Sequence, residues 1–371
     1  MNDIITQFQV KGSPVQCTRF GCGHINETYL VTCDSGLTYI LQKINKSIFT
    51  RPEQLMENIA AVTDYLARST EEKSGCSPVA KITEAERKSM HLVKTSSGRY
   101  FYVDEQGEYW RMYDFVYSTV CLQKVGSTED FYYSGYAFGR FQEELSGFPA
   151  ETLHEPIADF HNTPVRYQQL HNAMERNYDN RVALCKEEVE FALSKEAEAG
   201  EIVRKLKTGE IPLRVTHNDT KLNNILFDYD TRMPLCIIDL DTVMPGSLLY
   251  DFGDSIRFGA SSAPEDEKDL SKVYCDMQLF HAFTEGFLLG CKKNITFTEV
   301  AMLPVGAKLM TLECGIRFLA DYLNGDTYFR THYPEQNLDR CRTQFKLVAD
   351  MENKWDEMIE IVQSCWNLLQ Q

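Results

Sequence analysis

The first 120 residues show a pattern of apolar and polar positions that predicts a β-rich region. Strand-like runs of β-branched and aromatic residues occupy 28–32, 37–42, 91–95, 99–103 and 109–117. Turn residues separate the first two of these runs (DSG) and the next two (SSG), as expected for hairpins. Between 52 and 66, apolar residues instead recur at helical spacing after a proline, which predicts one amphipathic helix.

From residue 131 onward the apolar spacing becomes mostly helical. Helices are predicted at 132–145, 157–160, 182–206, 270–289, 300–323 and 337–369. One hairpin-like pattern, 224–227 followed by 235–240, interrupts them. The pattern predicts an α+β fold with a β-rich N-terminal lobe at 1–117, a mostly helical C-terminal lobe at 118–371, and a cleft between the lobes.

Composition and net charge indicate which classes of protein fit this sequence. The 371 residues are 43% hydrophobic and 25% charged, which is typical of a globular protein, and charge interrupts every apolar run before membrane-spanning length. A net charge of −16 disfavours nucleic acid and anionic lipid as partners. The N-terminus lacks a signal-peptide pattern, and the twelve cysteines are scattered singly without a CxxC pair. We therefore expect a cytoplasmic protein with reduced thiols; the oligomeric state stays open, and a monomer is compatible with the sequence.

The strongest chemical signal is the run HNDTKLNN at 217–224, followed by IIDLD at 237–241. Asp219 and Asn224 lie five residues apart in a polar loop, and Asp239 ends an otherwise apolar strand. Phosphoryl transfer from a nucleotide needs a carboxylate for the acceptor hydroxyl and hard oxygen ligands for a magnesium ion. This spacing fits a base, a metal-binding amide and a metal-binding carboxylate. The alternative is that the two aspartates are ordinary loop or turn residues.

Two further features are suited to binding a nucleotide. Gly21 and Gly23 lie between two strand-like runs, where the backbone could approach phosphates, although a simple hairpin turn fits as well. Lys43 could supply a cation from a strand and pair with Glu57 on the following helix. Gln42 and Lys43 point to opposite faces, so only one of them can face the cleft.

Several other polar positions are candidates for structural or binding roles. Asp251 begins a DFGD run, and its place after the metal strand indicates a structural carboxylate that braces the catalytic loop. Arg317 and Asp321 are one helical turn apart and could pair with each other. The polar–aromatic loops 160–163 and 327–330 suit a sugar, whose apolar face stacks on a ring while its hydroxyls form hydrogen bonds.

With these residues in place, the chain resembles the aminoglycoside phosphotransferase and choline kinase-like superfamily, a branch of the protein-kinase-like fold. The resemblance covers nearly the whole chain and is closest to the N-acetylhexosamine 1-kinases. The matching segments are 21–29 (GCGHINETY), 39–45 (YILQKIN), 160–163 (FHNT), 216–224 (THNDTKLNN), 238–246 (IDLDTVMPG), 251–258 (DFGDSIRF) and 316–329 (IRFLADYLNGDTYF).

The resemblance implies ATP- and Mg²⁺-dependent phosphorylation of the anomeric hydroxyl of GlcNAc or GalNAc. It makes Asp219 the base that contacts this hydroxyl, with Asn224, Asp239 and Asp241 as metal ligands; Asp241 could equally be a support for the site. The nucleotide residues it implies are Gly21, Gly23, Lys43, Glu57, Tyr113 and Phe115. The residues it implies for the sugar are His24, Asp219, Thr242, Phe258, Arg317 and Tyr328. The superfamily often carries Lys or Arg at the position of Gln42.

Two other functions stay open at this point. A kinase of choline, homoserine, methylthioribose or an aminoglycoside is compatible with the acidic composition. A nucleotide-binding pseudokinase would keep the fold without turnover. Magnesium-dependent ATP consumption, with and without an N-acetylhexosamine, distinguishes the three.

Overall fold

The computed structural model describes residues 1–21, 25–74 and 90–370, with the backbone alone for 69–74. The chain divides into two compact units that alternate along the sequence. Unit 1 contains Met1–Cys121, Gly147–Ala158 and Ile225–Pro245, and unit 2 contains Leu122–Ser146, Asp159–Asn224 and Gly246–Gln371. The lobe boundary between 117 and 118 stays a prediction.

The regular elements are numbered in chain order. The strands are β1 (Pro14–Arg19), β2 (Glu27–Cys33), β3 (Thr38–Lys43), β4 (Tyr102–Val103), β5 (Tyr109–Asp114), β6 (Thr119–Cys121), β7 (Arg214–Thr216), β8 (Ile225–Asp228), β9 (Pro234–Ile237) and β10 (Met244–Gly246). The helices are α1 (Asn2–Ile5), α2 (Pro52–Ser74), α3 (Thr128–Glu144), α4 (Thr163–Arg176), α5 (Lys186–Ser194), α6 (Glu201–Thr208), α7 (Leu248–Gly259), α8 (Met277–Cys291), α9 (Phe297–Ala301), α10 (Leu303–Leu323), α11 (Gln336–Asn353) and α12 (Trp355–Leu369).

Unit 1 is built on an antiparallel sheet in the order β1-β2-β3-β5-β4. Strand alternation gives this sheet two different faces. One face carries the core of the unit: Ile5, Phe8, Val31, Cys33, Tyr39, Leu41, Val93, Trp110 and Met112. On the other face the register places Gln42 opposite both Thr28 and Arg111, which forms a polar row across three strands.

A second, three-stranded antiparallel sheet of unit 1 has the order β6-β8-β9. The hairpin predicted at 224–227 and 235–240 is therefore confirmed, as β8 and β9. The second strand was predicted to continue to residue 240, but β9 ends at Ile237. Asp239 then adopts a left-handed conformation with φ of 62° and begins a 3-10 turn, Leu240–Thr242, which takes the chain out of the sheet.

Several secondary-structure predictions are wrong. The helix predicted at 270–289 is a 3-10 turn, Leu270–Lys272, followed by α8, and the helix predicted at 337–369 is two helices, α11 and α12, separated at Lys354. The segment 157–160 is a bend and turn, and Asp159 has a positive φ of 54° that no regular helix accommodates. The single helix predicted at 182–206 is broken into α5, α6 and 3-10 turns: α5 ends at Ser194, and α6 begins directly after Gly200. The strands predicted at 91–95 and 99–103 form only isolated bridges and the two-residue β4. Amphipathic spacing predicts which face is buried, but it does not locate such breaks.

Unit 2 is mainly helical, with α3 packed closely against α8 and α10 against α7 and α11. The mixed α+β class predicted from the sequence is confirmed. Among the described residues, no helix combines the length and apolarity that a membrane span needs.

Glycines allow the close approach of α3 and α8. A Cβ atom at Gly286 would lie 2.0 Å from the carbonyl oxygen of Tyr132 on α3, which is far inside van der Waals contact. We expect Gly286→Ala to lower the free energy of unfolding by about 1–3 kcal/mol or more, because the helices must separate. Urea unfolding measures this change.

Gly200→Ala is the matched control. The nearest atom to a Cβ at Gly200 is Cγ of Pro164 at 3.7 Å, an ordinary contact, so this variant should stay within about 0.5 kcal/mol of the wild type. Equal stability of the two variants would show that the helices do not need the glycine.

Candidate active site

The loop that carries the predicted base is held in unit 2 by a buried carboxylate. Asp251 on α7 has no exposed surface, and its oxygens accept hydrogen bonds from the backbone N–H groups of His217 (3.0 Å) and Asn218 (2.8 Å). The amide of Gln142 on α3 donates a third, at 2.8 Å. The predicted bracing role of Asp251 is confirmed. Burial raises the pKa of Asp251, and the nearby His217 and these hydrogen bonds oppose that rise.

Asp219 is fixed by two side chains of the same loop. Nζ of Lys221 lies 2.6 Å from its Oδ1 atom. Nδ2 of Asn224 donates to its Oδ2 atom at 3.0 Å and to its backbone oxygen at 2.8 Å. The structure therefore brings together the predicted base and the predicted metal-binding amide, and it adds Lys221, which the sequence analysis did not single out.

Asp254 supplies a second negative charge in this part of unit 2. It pairs with Arg257 at 2.8 Å. Burial alone would raise the pKa of Asp254, but the charges of Arg257 and Lys221 hold it below its usual value. Burial alone would lower the pKa of Lys221, and Asp219 and Asp254 raise it overall. Lys221 is therefore a stable cation beside the predicted base.

In unit 1, the two aspartates of the IIDLD run differ sharply in solvent exposure. Asp239 is exposed, whereas Asp241 is 4% exposed and its Oδ1 atom lies 2.5 Å from Nη1 of Arg111. Oδ2 of Asp241 accepts a hydrogen bond from the side chain of Asn26 at 2.5 Å. Burial would lower the pKa of Arg111, but the charge of Asp241 raises it overall. Arg111 is thus a permanent cation on β5.

The sheet places Gln42 and Lys43 on opposite faces. Nε of Arg111 donates to Oε1 of Gln42 at 2.9 Å, so Gln42 lies on the face that carries the Arg111–Asp241 pair. Lys43 lies on the other face, with Nζ 3.5 Å from Glu108 and 3.9 Å from Glu27.

The expected Lys43–Glu57 pair is not formed among the described residues. Glu57 on α2 instead contacts Nε2 of His154 at 2.6 Å. Lys43 as the phosphate cation stays a prediction.

The predicted nucleotide residues lie in unit 1. Gly21 has a positive φ of 77°, a backbone conformation that glycine adopts without strain. The neighbouring Phe20 ring packs edge-on against Phe115, with 6.1 Å between centroids. Tyr113 is buried on β5, and burial raises the pKa of its hydroxyl. Gly23 and His24 lie outside the described residues.

Aromatic rings surround one of the predicted sugar residues in unit 2. The guanidinium of Arg317 on α10 lies 5.5 Å from the ring centroid of Phe160, 5.9 Å from that of Tyr328 and 5.4 Å from that of Phe329. The structure thus brings Arg317 and Tyr328 together and joins them to the two polar–aromatic loops. Cation–π contacts of this kind fix the direction of the guanidinium.

Asp321 positions the loop that carries Tyr328, rather than pairing with Arg317 as one reading suggested. Its carboxylate accepts hydrogen bonds from the backbone N–H groups of Thr327 (3.0 Å), Tyr328 (2.8 Å) and Phe329 (2.9 Å). The other two predicted sugar residues are Phe258, 38% exposed in the last turn of α7, and Thr242, half-buried in the 3-10 turn of unit 1.

The donor set suits a hard cation only in part. Among the described residues, no group of three or more His, Cys, Asp or Glu side chains could hold a metal ion without other ligands. Magnesium at phosphoryl-transfer sites typically uses one or two protein oxygens together with nucleotide phosphates. The amide of Asn224 and the carboxylate of Asp239 fit that chemistry, whereas both oxygens of Asp241 already contact protein groups.

The sequence of this chain matches a known protein family. The sequence profile of a phosphotransferase enzyme family, APH, matches residues 16–283. The chain belongs to this family. The match includes the loop at 217–224, the two aspartates at 239 and 241, and α7 with Asp251. The predicted enzyme class, a phosphotransferase, is confirmed at this level.

Solved structures share the fold at low sequence identity. An aminoglycoside phosphotransferase from Alicyclobacillus acidocaldarius is 14% identical with a TM-score of 0.59, over 100% of this chain and 95% of that chain. A microcompartment-associated aminopropanol kinase is 17% identical with a TM-score of 0.56, over 96% and 97%. The amicoumacin kinase hAmiN, in complex with AMP-PNP, Ca²⁺ and Ami, is 14% identical with a TM-score of 0.58, over 92% and 91%. The protein-kinase-like fold of this APH chain is confirmed.

Sequence reasoning missed Arg111, Asn26 and Lys221. A signal for Arg111 was present, because a charged residue in the strand run YWRMY must find a partner when it is buried. For Asn26 and Lys221 no such signal exists, since polar residues in polar loops are usually solvated.

Proposed function

We propose that this protein transfers the γ-phosphoryl group of ATP to the anomeric hydroxyl of an N-acetylhexosamine, GlcNAc or GalNAc, in a magnesium-dependent reaction. The observation that carries the choice of acceptor is the aromatic cluster around Arg317 in unit 2. Rings and a guanidinium suit a neutral sugar, which stacks one face on a ring and accepts hydrogen bonds on its hydroxyl and acetamido oxygens.

The sign of the charge in this cluster supports a neutral acceptor over an amine. Arg166 on α4 donates from Nη2 to the backbone oxygen of Phe160 at 2.6 Å, on the loop that also contacts Arg317. Burial and the positive charge of Arg317 lower the pKa of Arg166, while the negative charges of Glu313 and Asp159 oppose that shift. A cationic acceptor such as choline or an aminoglycoside would meet like charges there.

In the proposed reaction, Asp219 orients the anomeric hydroxyl and accepts its proton. The hydroxyl oxygen forms a bond to the γ-phosphorus, the bond from that phosphorus to the β,γ-bridging oxygen breaks, and ADP leaves. Lys221 and Asn224 hold both oxygens of Asp219 in place, so little reorganisation is needed. An anomeric hydroxyl is more acidic than other sugar hydroxyls, so its proton can leave late.

Asn224 and Asp239 are the proposed magnesium ligands. When bound, the ion would neutralise the charge of the nucleotide phosphates. We propose that the backbone at Gly21 and Gly23 covers these phosphates. We further propose that the adenine binds at the C-terminal end of β5, next to Tyr113 and Phe115.

An acceptor panel tests the function. Purified protein is mixed with ATP, MgCl₂ and one of GlcNAc, GalNAc, choline, homoserine or kanamycin, and ADP release and phosphorus NMR are recorded. We expect a sugar 1-phosphate signal with at least one hexosamine. Turnover on a different acceptor alone would contradict the sugar assignment while keeping the kinase, and no turnover with any acceptor would favour another substrate or a pseudokinase.

The acceptor role of Arg317 makes a separate prediction. Arg317→Met keeps the length of the side chain but removes its charge and donors, so we expect the KM for the sugar to rise about 10–100-fold. The affinity for nucleotide should stay unchanged. The control is Arg176→Met, an exposed arginine on α4, which should behave as the wild type. An unchanged sugar KM in a folded Arg317→Met variant would remove Arg317 from the site.

A further inference from the structure

Arg111 is a buried charge, and it therefore needs polar partners within the protein. The residue is 1% exposed, on the polar face of the sheet of unit 1. Its Nε atom donates to Gln42 at 2.9 Å, and its Nη1 atom lies 2.5 Å from Oδ1 of Asp241. A buried guanidinium without such partners would destabilise the fold severely. Asp241 and Gln42 therefore supply the polar environment that keeps this cation in the sheet.

Asp241 is in turn held from a second direction. Nδ2 of Asn26 donates to Oδ2 of Asp241 at 2.5 Å, while Oδ1 of Asn26 accepts from the backbone N–H of Asn45 at 3.0 Å. Asn26 follows the glycine segment, and Asn45 follows β3. One side chain therefore ties three parts of unit 1 together: the strand entry after the glycines, the exit of β3, and the turn that contains Asp241.

The same turn is also fixed at its far end. Asn58 on α2 is 1% exposed, and its amide donates to the backbone oxygen of Val243 at 2.9 Å. The 3-10 turn Leu240–Thr242 is thus fixed at two points, at Asp241 within it and at Val243 directly after it. Asp239 is exposed and lies directly before the turn, so the conformation of the turn determines the position of Asp239.

From these contacts we infer that Asp241 is not a metal ligand but the anchor of the metal-binding turn, and that Arg111 and Asn26 are positioning residues that act through it on Asp239. Both oxygens of Asp241 are already in contact with a guanidinium or an amide, so a metal ion would have to compete with them. The inference rests on the proposed function, because it presupposes that Asp239 binds magnesium.

The test compares single variants with a double variant. AMP-PNP binding is measured by calorimetry as a function of MgCl₂ concentration, together with thermal unfolding without nucleotide. We expect Arg111→Met and Asp241→Asn each to unfold at lower temperature and to weaken magnesium-dependent binding at least tenfold, since each leaves a buried charge without its counter-ion. The double variant, in which neither charge remains, should recover most of both losses.

Several outcomes would overturn the inference. If Asp241 were a ligand, the double variant would keep the full binding loss of Asp241→Asn while regaining its stability. A folded Arg111→Met variant with wild-type magnesium dependence would also contradict it. Arg19→Met is the matched control, because this arginine on β1 has a largely exposed side chain, pairs with Glu27, and should leave magnesium dependence unchanged.

Asn26→Ala keeps the inference testable if Arg111→Met does not fold. Asn26 is half-buried, and its removal leaves the Arg111–Asp241 pair in place. We expect this variant to fold and to bind magnesium and AMP-PNP about three- to tenfold more weakly, with no further loss in the Asp241→Asn background. Fully additive losses would contradict a role through Asp241.

Failure of the proposed function gives a different result. If the wild type binds AMP-PNP without any magnesium dependence, or if Asp239→Asn retains that dependence, the metal role of Asp239 is wrong and the anchoring inference fails with it. If Asp239→Asn loses the dependence while the Arg111, Asp241 and Asn26 variants keep it, only the anchoring inference is overturned.

Discussion

Replacing Asp219 by alanine should lower kcat by about 10²–10⁴-fold, the contribution that a positioned general base usually makes. Nucleotide binding should remain largely intact, because within the described part of the chain the carboxylate is held by Lys221 and Asn224 of its own loop. The measurement is steady-state turnover with saturating ATP and sugar, alongside nucleotide affinity by calorimetry. A loss in kcat without a loss in nucleotide affinity places Asp219 at the transferred proton.

Asp219→Asn separates chemistry from structure. The amide keeps the shape of the side chain and can still contact Asn224, but it cannot accept the hydroxyl proton. We expect a loss within about tenfold of that of the alanine variant and an unfolding temperature close to that of the wild type. Activity of either variant within about tenfold of the wild type would show that another group is the base.

Asp251→Ala should affect stability and activity together. The change removes the acceptor of three buried donors, the backbone N–H groups of His217 and Asn218 and the amide of Gln142. Each buried donor left unsatisfied costs about 1–3 kcal/mol, and we expect the free energy of unfolding to fall by about 3–5 kcal/mol in total. Because the same bonds hold the loop of Asp219, turnover should also fall at temperatures where the variant is folded.

Urea unfolding and turnover at low temperature measure the two effects separately. Asp230→Ala is the control, because Asp230 is exposed in the β8–β9 turn and its replacement should change stability by less than about 0.5 kcal/mol. A folded Asp251→Ala variant with wild-type turnover would show that the loop of Asp219 holds its conformation without this brace.

Local spacing predicted the features that depend on neighbours in sequence. The run 217–224 places Asp219 and Asn224 five residues apart, and a loop of that length brings the amide back to the carboxylate. The turn residues between 228 and 234 likewise predicted the β8–β9 hairpin. The contacts of Asp251 with the loop at 217–218 were predicted as well, from its place after the strand that leads to the predicted metal ligand Asp239.

Long-range partners could not be predicted in the same way. Arg111 and Asp241 are 130 residues apart in sequence, and their contact depends on strand register and on the turn after β9. The same holds for Asn26, which is 215 residues from Asp241. The helix breaks between α5 and α6 escaped prediction because apolar spacing persists across them.

The sequence by itself determined the fold class and the position of the loop that we predict to be catalytic, because strand alternation, helical spacing and the HNDTKLNN run are local patterns with local physical causes. It also led to the correct enzyme family. Only the tertiary structure decided which face of β3 carries the Arg111–Asp241 pair, and which carboxylate of the IIDLD run stays exposed. The reason is desolvation: a charge that is buried must pair with whatever partner folding brings to it, and that partner is set by the packing of distant segments.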